Sequence, residues 1–74
     1  MWTEGTIGDY EYCAKVYDTP SQLGIDNGRV SKLDIYKNCR FTGKRKFIAM
    51  YDRGWEVKPK NMKLVNNILS IVTA

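Results

Sequence analysis

The sequence has no histidine, two cysteines and two prolines in 74 residues, and only 8 acidic residues against 12 basic ones. Each scarcity excludes something. Without histidine, the usual general base near neutral pH, the common proton shuttle and the commonest zinc ligand are all missing. Cys13 and Cys39 alone cannot close a four-ligand zinc site, nor build the dense disulfide framework of a small secreted scaffold. Asn, Lys or Ser interrupts every long apolar stretch, so none approaches the ~20 residues of a membrane helix. Met1 to Gly5 lacks the basic segment and apolar core of a secretory signal. A cytoplasmic protein is expected, with both thiols reduced and partly buried as the plain reading and a disulfide or a redox switch as the alternatives. A chain this short buries only ~60% of its unfolded surface, which leaves little room for a deep catalytic cleft. Ser21, Ser31 and Ser70 lack a histidine partner, and no carboxylate pair has a spacing suited to acid–base work. The expectation is a single domain over 1–74, with no catalytic residues, metal or cofactor: a binding module rather than an enzyme.

What is present patterns clearly. Tyr10, Tyr12, Ala14 and Val16 alternate with Glu11, Cys13, Lys15 and Tyr17, the period-two signal of a half-buried strand. Trp2 to Ile7 precedes it, and Gly8-Asp9 reads as the turn of a hairpin. Pro20 ends the strand, and residues 18–28 form a loop in which Asn27-Gly28 favours positive φ. A third strand is predicted from about Arg29 to Tyr36, with Leu33 and Ile35 facing away from Lys32, Asp34 and Tyr36. Lys46 to Tyr51 is apolar on both faces and predicts the most buried strand. Asp52-Arg53-Gly54 turns the chain toward a helix, whose first turn suits Pro59.

At ~100° per residue, Met62, Leu64, Val65, Ile68, Leu69, Ile71 and Val72 fill an arc of about 180°, wider than a sheet-facing helix requires. Either the sheet curls round the helix, or the helix also meets a second chain. The latter predicts a homodimer through Leu64, Ile68 and Ile71. The fold expected is α+β, an antiparallel sheet of about four strands with one C-terminal amphipathic helix packed on a face.

Charge is unevenly placed. Residues 1–36 carry three basic side chains against six acids, or −3, whereas residues 37–74 carry nine against two, or +7. Lys37, Arg40, Lys44, Arg45 and Lys46 lie in or beside one turn, while Lys58, Lys60 and Lys63 open the helix. There the helix dipole is positive, and an anionic ligand would relieve the conflict. With Phe41 and Phe47 nearby, Arg40, Lys44, Arg45, Lys46, Lys58, Lys60 and Lys63 are candidates for phosphate or partner contact. A solvated hairpin tip guarded by lysines remains open as the plain alternative. Thr42-Gly43-Lys44-Arg45 fails as a phosphate loop, because Asn38 stands where the first glycine belongs and Arg45 replaces the Ser/Thr. Tyr51-Asp52-Arg53-Gly54-Trp55 reads either as a locking turn or, with Arg29 and Lys32, as a contact patch, since Tyr, Trp and Arg dominate interface energetics.

Glu4-Gly5-Thr6-Ile7-Gly8, Tyr12-Cys13-Ala14-Lys15-Val16-Tyr17, Ser21-Gln22-Leu23-Gly24-Ile25, Gly28-Arg29-Val30-Ser31-Lys32-Leu33 and Tyr51-Asp52-Arg53-Gly54-Trp55 occur in this order. Together they resemble a family of small uncharacterised proteins encoded by phages and prophages of Gram-positive bacteria, over roughly residues 2–58. The resemblance implies a setting rather than a mechanism. In that setting the leading expectation is a stoichiometric inhibitor of a host defence protein, of which an anti-CRISPR protein is one kind, acting by protein–protein contact in the bacterial cytoplasm. Nucleic-acid binding through the basic turn 37–46 and the helix start is the alternative. A sponge for a small anionic nucleotide, using Arg29, Arg53 and Trp55 between subunits, is a third reading.

Overall fold

The computed structural model describes residues 1–38 and 42–74. Five strands, β1 (Trp2–Ile7), β2 (Tyr10–Val16), β3 (Val30–Asn38), β4 (Arg45–Asp52) and β5 (Trp55–Val57), precede a helix α1 (Met62–Val72). The strands pair antiparallel in chain order, β1-β2-β3-β4-β5, as a simple meander. This is the expected α+β class, with one strand more than expected.

Side-chain alternation sets the two faces. Tyr12, Ala14, Val16, Val30, Leu33, Ile35, Ala49 and Tyr51 turn inward and meet Val65 and Ile68 of α1. Leu33, Ile35, Val30, Val65 and Ile68 are the largest fully buried side chains. The opposite face carries Trp2, Lys15, Lys32 and Asp52 in one cross-strand row, then Glu4, Cys13, Asp34 and Met50 in the next. No element lies over that second face among the described residues, and its charged composition suits contact with water.

The turns follow local chemistry. Gly8-Asp9 joins β1 to β2 across the Ile7–Tyr10 pair, with Gly8 at φ 58° in the first of two loop positions, as in a type II′ turn. Between β2 and β3 a short 3₁₀ turn, Ile25–Asn27, drives Ile25 into the core. Gly24 is buried there against the backbone of Gly28. The left-handed residues of this turn are Asp26 (φ 54°) and Asn27 (φ 57°), whereas Gly28 is extended. Positive φ therefore falls one residue earlier than Asn27-Gly28 suggested. Asp and Asn tolerate the region because their short polar side chains hydrogen-bond locally.

Three further expectations are corrected. The most buried strand is β3, not β4: β3 is central in the sheet, whereas only Ala49 and Tyr51 of β4 are buried. Segment 55–57, for which no element is expected between the Asp52-Arg53-Gly54 turn and the helix, is the short strand β5. Pro59 lies before the helix and is buried, and α1 is capped at its start by Asn61, whose Oδ1 accepts a hydrogen bond of 2.9 Å from the Lys63 backbone N–H. An asparagine side chain satisfies an otherwise orphan N–H, which Pro59 cannot do.

The wide apolar face of α1 is largely used within the chain. Val65 and Ile68 are buried, Met62, Leu64, Leu69 and Val72 pack partly against the core, and Ile71 is 52% exposed. Ile68 is thus a core residue of this chain and is not available to a second copy. Arg29 donates from its guanidinium to the Thr73 carbonyl at 3.0 Å, placing a cation at the negative end of the helix.

Candidate functional site

The lysines that are dispersed in sequence converge in space. A groove of about 640 Å³ runs between the outer half of β4 and the start of α1. Lys46, Phe47 and Ile48 of β4 form one wall, the Val57–Asn61 connection forms the floor and far end, and Lys63, Leu64 and Asn67 of α1 form the other wall. Tyr10 closes it from β2. Four lysines and two asparagines line this groove without a single carboxylate.

Its position follows from strand lengths. β5 pairs only with Met50 and Tyr51, through Val57 and Trp55. Among the described residues, the Arg45–Phe47 part of β4 is therefore paired on the β3 side alone, Ile48 falls in the bulge between the Tyr36–Phe47 and Ile35–Ala49 pairs, and Lys46, Phe47 and Ile48 line the groove. Free strand edges present unpaired backbone N–H and C=O groups. Lys37 and Lys46 stand directly opposite one another in the β3–β4 register, which adds like charge at the same end of the molecule. Such a pairing is destabilising on its own.

The other expected site residues go elsewhere. Arg45 belongs to the opposite face, with its guanidinium carbon 4.7 Å from the centroid of the Tyr36 ring, and Tyr36 meets Phe47 edge-to-face at 5.8 Å. Lys44 is exposed in the turn before β4. Arg40, like Phe41 and Cys39, lies outside the described residues.

The contact patch of Arg29, Lys32, Tyr51, Arg53 and Trp55 is divided among three places. Tyr51 is buried on the helix side, donates its phenolic hydrogen to the Leu23 carbonyl at 2.8 Å, and holds Trp55 edge-to-face at 5.0 Å. These two rings hold the 18–28 loop and β5 against the core. Arg29 is engaged at the C-terminal end of α1. Lys32 and Arg53 share a pocket on the uncovered face with Trp2, Lys15, Tyr17, Ser31 and Asp52. Trp2 had no periodic or motif signal to single it out, because only the β1–β2 register places it beside those lysines.

Cys13 is a free, half-buried thiol in the row between Glu4 and Asp34. Burial and then these two carboxylates raise its pKa, against a smaller opposing effect of Lys32. It is a poor nucleophile for that reason. Among the described residues no three His, Cys, Asp or Glu side chains group as a metal site, and no helix is long and apolar enough to cross a membrane.

No curated protein and no solved structure matches this chain. One family model does, a domain of unknown function designated DUF7678, and it matches residues 1–74. The small sheet with its capping helix, the lysine groove and the aromatic–lysine pocket are thus features of a chain that belongs to the DUF7678 family.

Proposed function

We propose that the protein is a non-enzymatic binding module that grips an acidic, extended segment of a partner protein in the lysine groove. The observation that carries this reading is the groove's composition at a free strand edge: Lys46, Lys58, Lys60 and Lys63 with no acid, beside the unpaired side of β4. An added strand would satisfy the open backbone groups of β4, while its carboxylates met the ammonium groups. Electrostatic complementarity of this kind chiefly accelerates association and selects the partner. The resemblance noted in the sequence extends the reading: the partner is a bacterial defence component, and the protein is a phage accessory inhibitor that occupies its surface.

Nucleic acid is the second reading, favoured by Tyr10, an aromatic residue that lines the groove together with the lysines. The two separate in one titration. A glutamate-rich peptide with alternating apolar residues and a single-stranded oligonucleotide of equal charge are each added to the protein and to its Lys46→Gln/Lys58→Gln/Lys60→Gln/Lys63→Gln variant. The protein reading expects tighter peptide binding, new strand signal in the amide region of the infrared spectrum, and loss in the variant. Tighter oligonucleotide binding that falls about 50-fold between ~50 and ~200 mM salt, as four phosphate contacts to a single strand imply, would replace it with the nucleic-acid reading. Peptide binding untouched by the four substitutions would remove the groove from either.

A further inference from the structure

A second concave site lies on the uncovered face of the sheet, away from the groove. Trp2, Lys15, Lys32 and Asp52 occupy one row across β1, β2, β3 and β4. Lys15 and Lys32 are direct cross-strand neighbours, an arrangement that repels unless something negative lies between them. Both ammonium groups gather at one indole: Lys15 Nζ is 5.8 Å and Lys32 Nζ 5.6 Å from the centroid of the Trp2 ring. Lys15 Nζ also lies 5.3 Å from the Tyr17 ring. Cation–π attraction thus keeps two positive charges within one small area.

Arg53 adds a third cation at the rim. Its backbone is left-handed, with φ 58°, and is held there by its N–H donating to the Ser31 carbonyl at 3.0 Å. A non-glycine residue held in this region marks a position where the surrounding structure imposes the conformation. Asp52, the one carboxylate of the pocket, pairs with Arg53 at 3.6 Å. Tyr17 responds to the local field. Its phenol pKa is lowered, first by a hydrogen bond with Lys15, then by one with Ser31.

We propose that this pocket binds a nucleoside monophosphate, with the phosphate bridging Lys15 and Lys32 and the base lying against the aromatic wall of Trp2 and Tyr17. Three cations against one carboxylate call for a compact anion of more than one charge. Trp2 and Tyr17 are 52% and 43% exposed, which leaves ring surface for a planar partner. The cavity is about 270 Å³, just under the usual range of about 300–1,000 Å³ for small-molecule sites, so it suits one nucleotide unit rather than a polymer. The site shares no residue with the lysine groove, and the two assignments stand or fall separately.

Calorimetric titration of the full chain with adenosine 5′-monophosphate, adenosine and inorganic phosphate tests the assignment. The expected result is saturable binding of the monophosphate, with weaker binding of adenosine and of phosphate alone. Lys15→Gln and Lys32→Gln should each weaken it about tenfold, as the loss of one charge-assisted contact does, and Trp2→Leu should weaken it while leaving the phosphate response in place. Circular dichroism of each variant establishes that the sheet is intact. No saturable heat up to about 1 mM monophosphate would overturn the proposal. So would phosphate binding as tightly as the nucleotide, or full affinity in the Lys15→Gln/Lys32→Gln double variant. Loss of binding in a Lys58→Gln/Lys60→Gln variant alone would move the nucleotide to the groove and equally overturn it.

Discussion

At Arg53, an arginine occupies backbone space that costs an L-residue roughly 1–2 kcal/mol. Replacing it with glycine is expected to raise stability by some tenths to about 1 kcal/mol, the strain relief being partly offset by a more flexible unfolded chain. Urea midpoints check this, and the same variant should bind the monophosphate more weakly. Gly24 is the opposite case. A Cβ there would stand 2.9 Å from the Gly28 carbonyl carbon and 3.2 Å from the Val30 oxygen, both main chain and unable to swing away. Gly24→Ala should therefore cost about 1–3 kcal/mol by overpacking.

Cys13 yields a pH signature. Its folded pKa is raised, so the folded state holds the thiol proton more tightly than the unfolded state does. Stability from this group is complete below the ordinary thiol value of 9.0 and is lost as pH rises from there through the folded pKa. The stability difference between the parent and Cys13→Ser, followed by denaturant titration across alkaline pH, should shift against the parent in that window. A difference independent of pH would show that neither burial nor the Glu4 and Asp34 carboxylates raise the thiol pKa in the folded state.

At the scale of elements, α1 shows how far periodicity carries. The apolar positions from Met62 to Val72 determined that a helix forms there, because a 3.6-residue period has no other economical structure, while its start was set by the Asn61 cap rather than by Pro59. They could not say which part of the wide apolar arc faces the sheet. Ile68→Ala should lower stability by about 2–5 kcal/mol, whereas exposed Ile71→Ala should change it by less than about 0.5 kcal/mol. Equal effects of the two would contradict the observed rotation of the helix. β5 escaped detection because three residues show no periodicity, and its pairing is with a strand already bounded by a turn signal. The central place of β3 was equally hidden: burial on both sides depends on neighbours, while Phe47 and Ile48 make β4 look more apolar than its position is.

At the scale of the whole molecule, charge separation becomes geometry. The basic second half of the sequence places Lys37, Lys46, Lys58, Lys60 and Lys63 around one end of the sheet. Their repulsion is screened by salt, with a Debye length of about 8 Å at 0.15 M. The thermal midpoint of the free protein should rise between low salt and ~0.15 M, and much of that rise should vanish in the fourfold groove variant. Scanning calorimetry at a series of salt concentrations measures both.

The sequence by itself determined the α+β class, the alternation of β2 and β3, the Gly8-Asp9 turn, the terminal helix and the concentration of positive charge in the second half. All of these are properties of residues close together in the chain, where a period or a turn residue acts locally. Only the tertiary structure decided which charges meet. Lys46 reaches Lys58, Lys60 and Lys63 because β5 is too short to cover the outer half of β4. Trp2 reaches Lys15 and Lys32 because antiparallel register aligns positions 13 and 30 residues away on one face of the sheet. Register is a choice among long-range pairings made by burial of the whole face at once, and no single segment contains it.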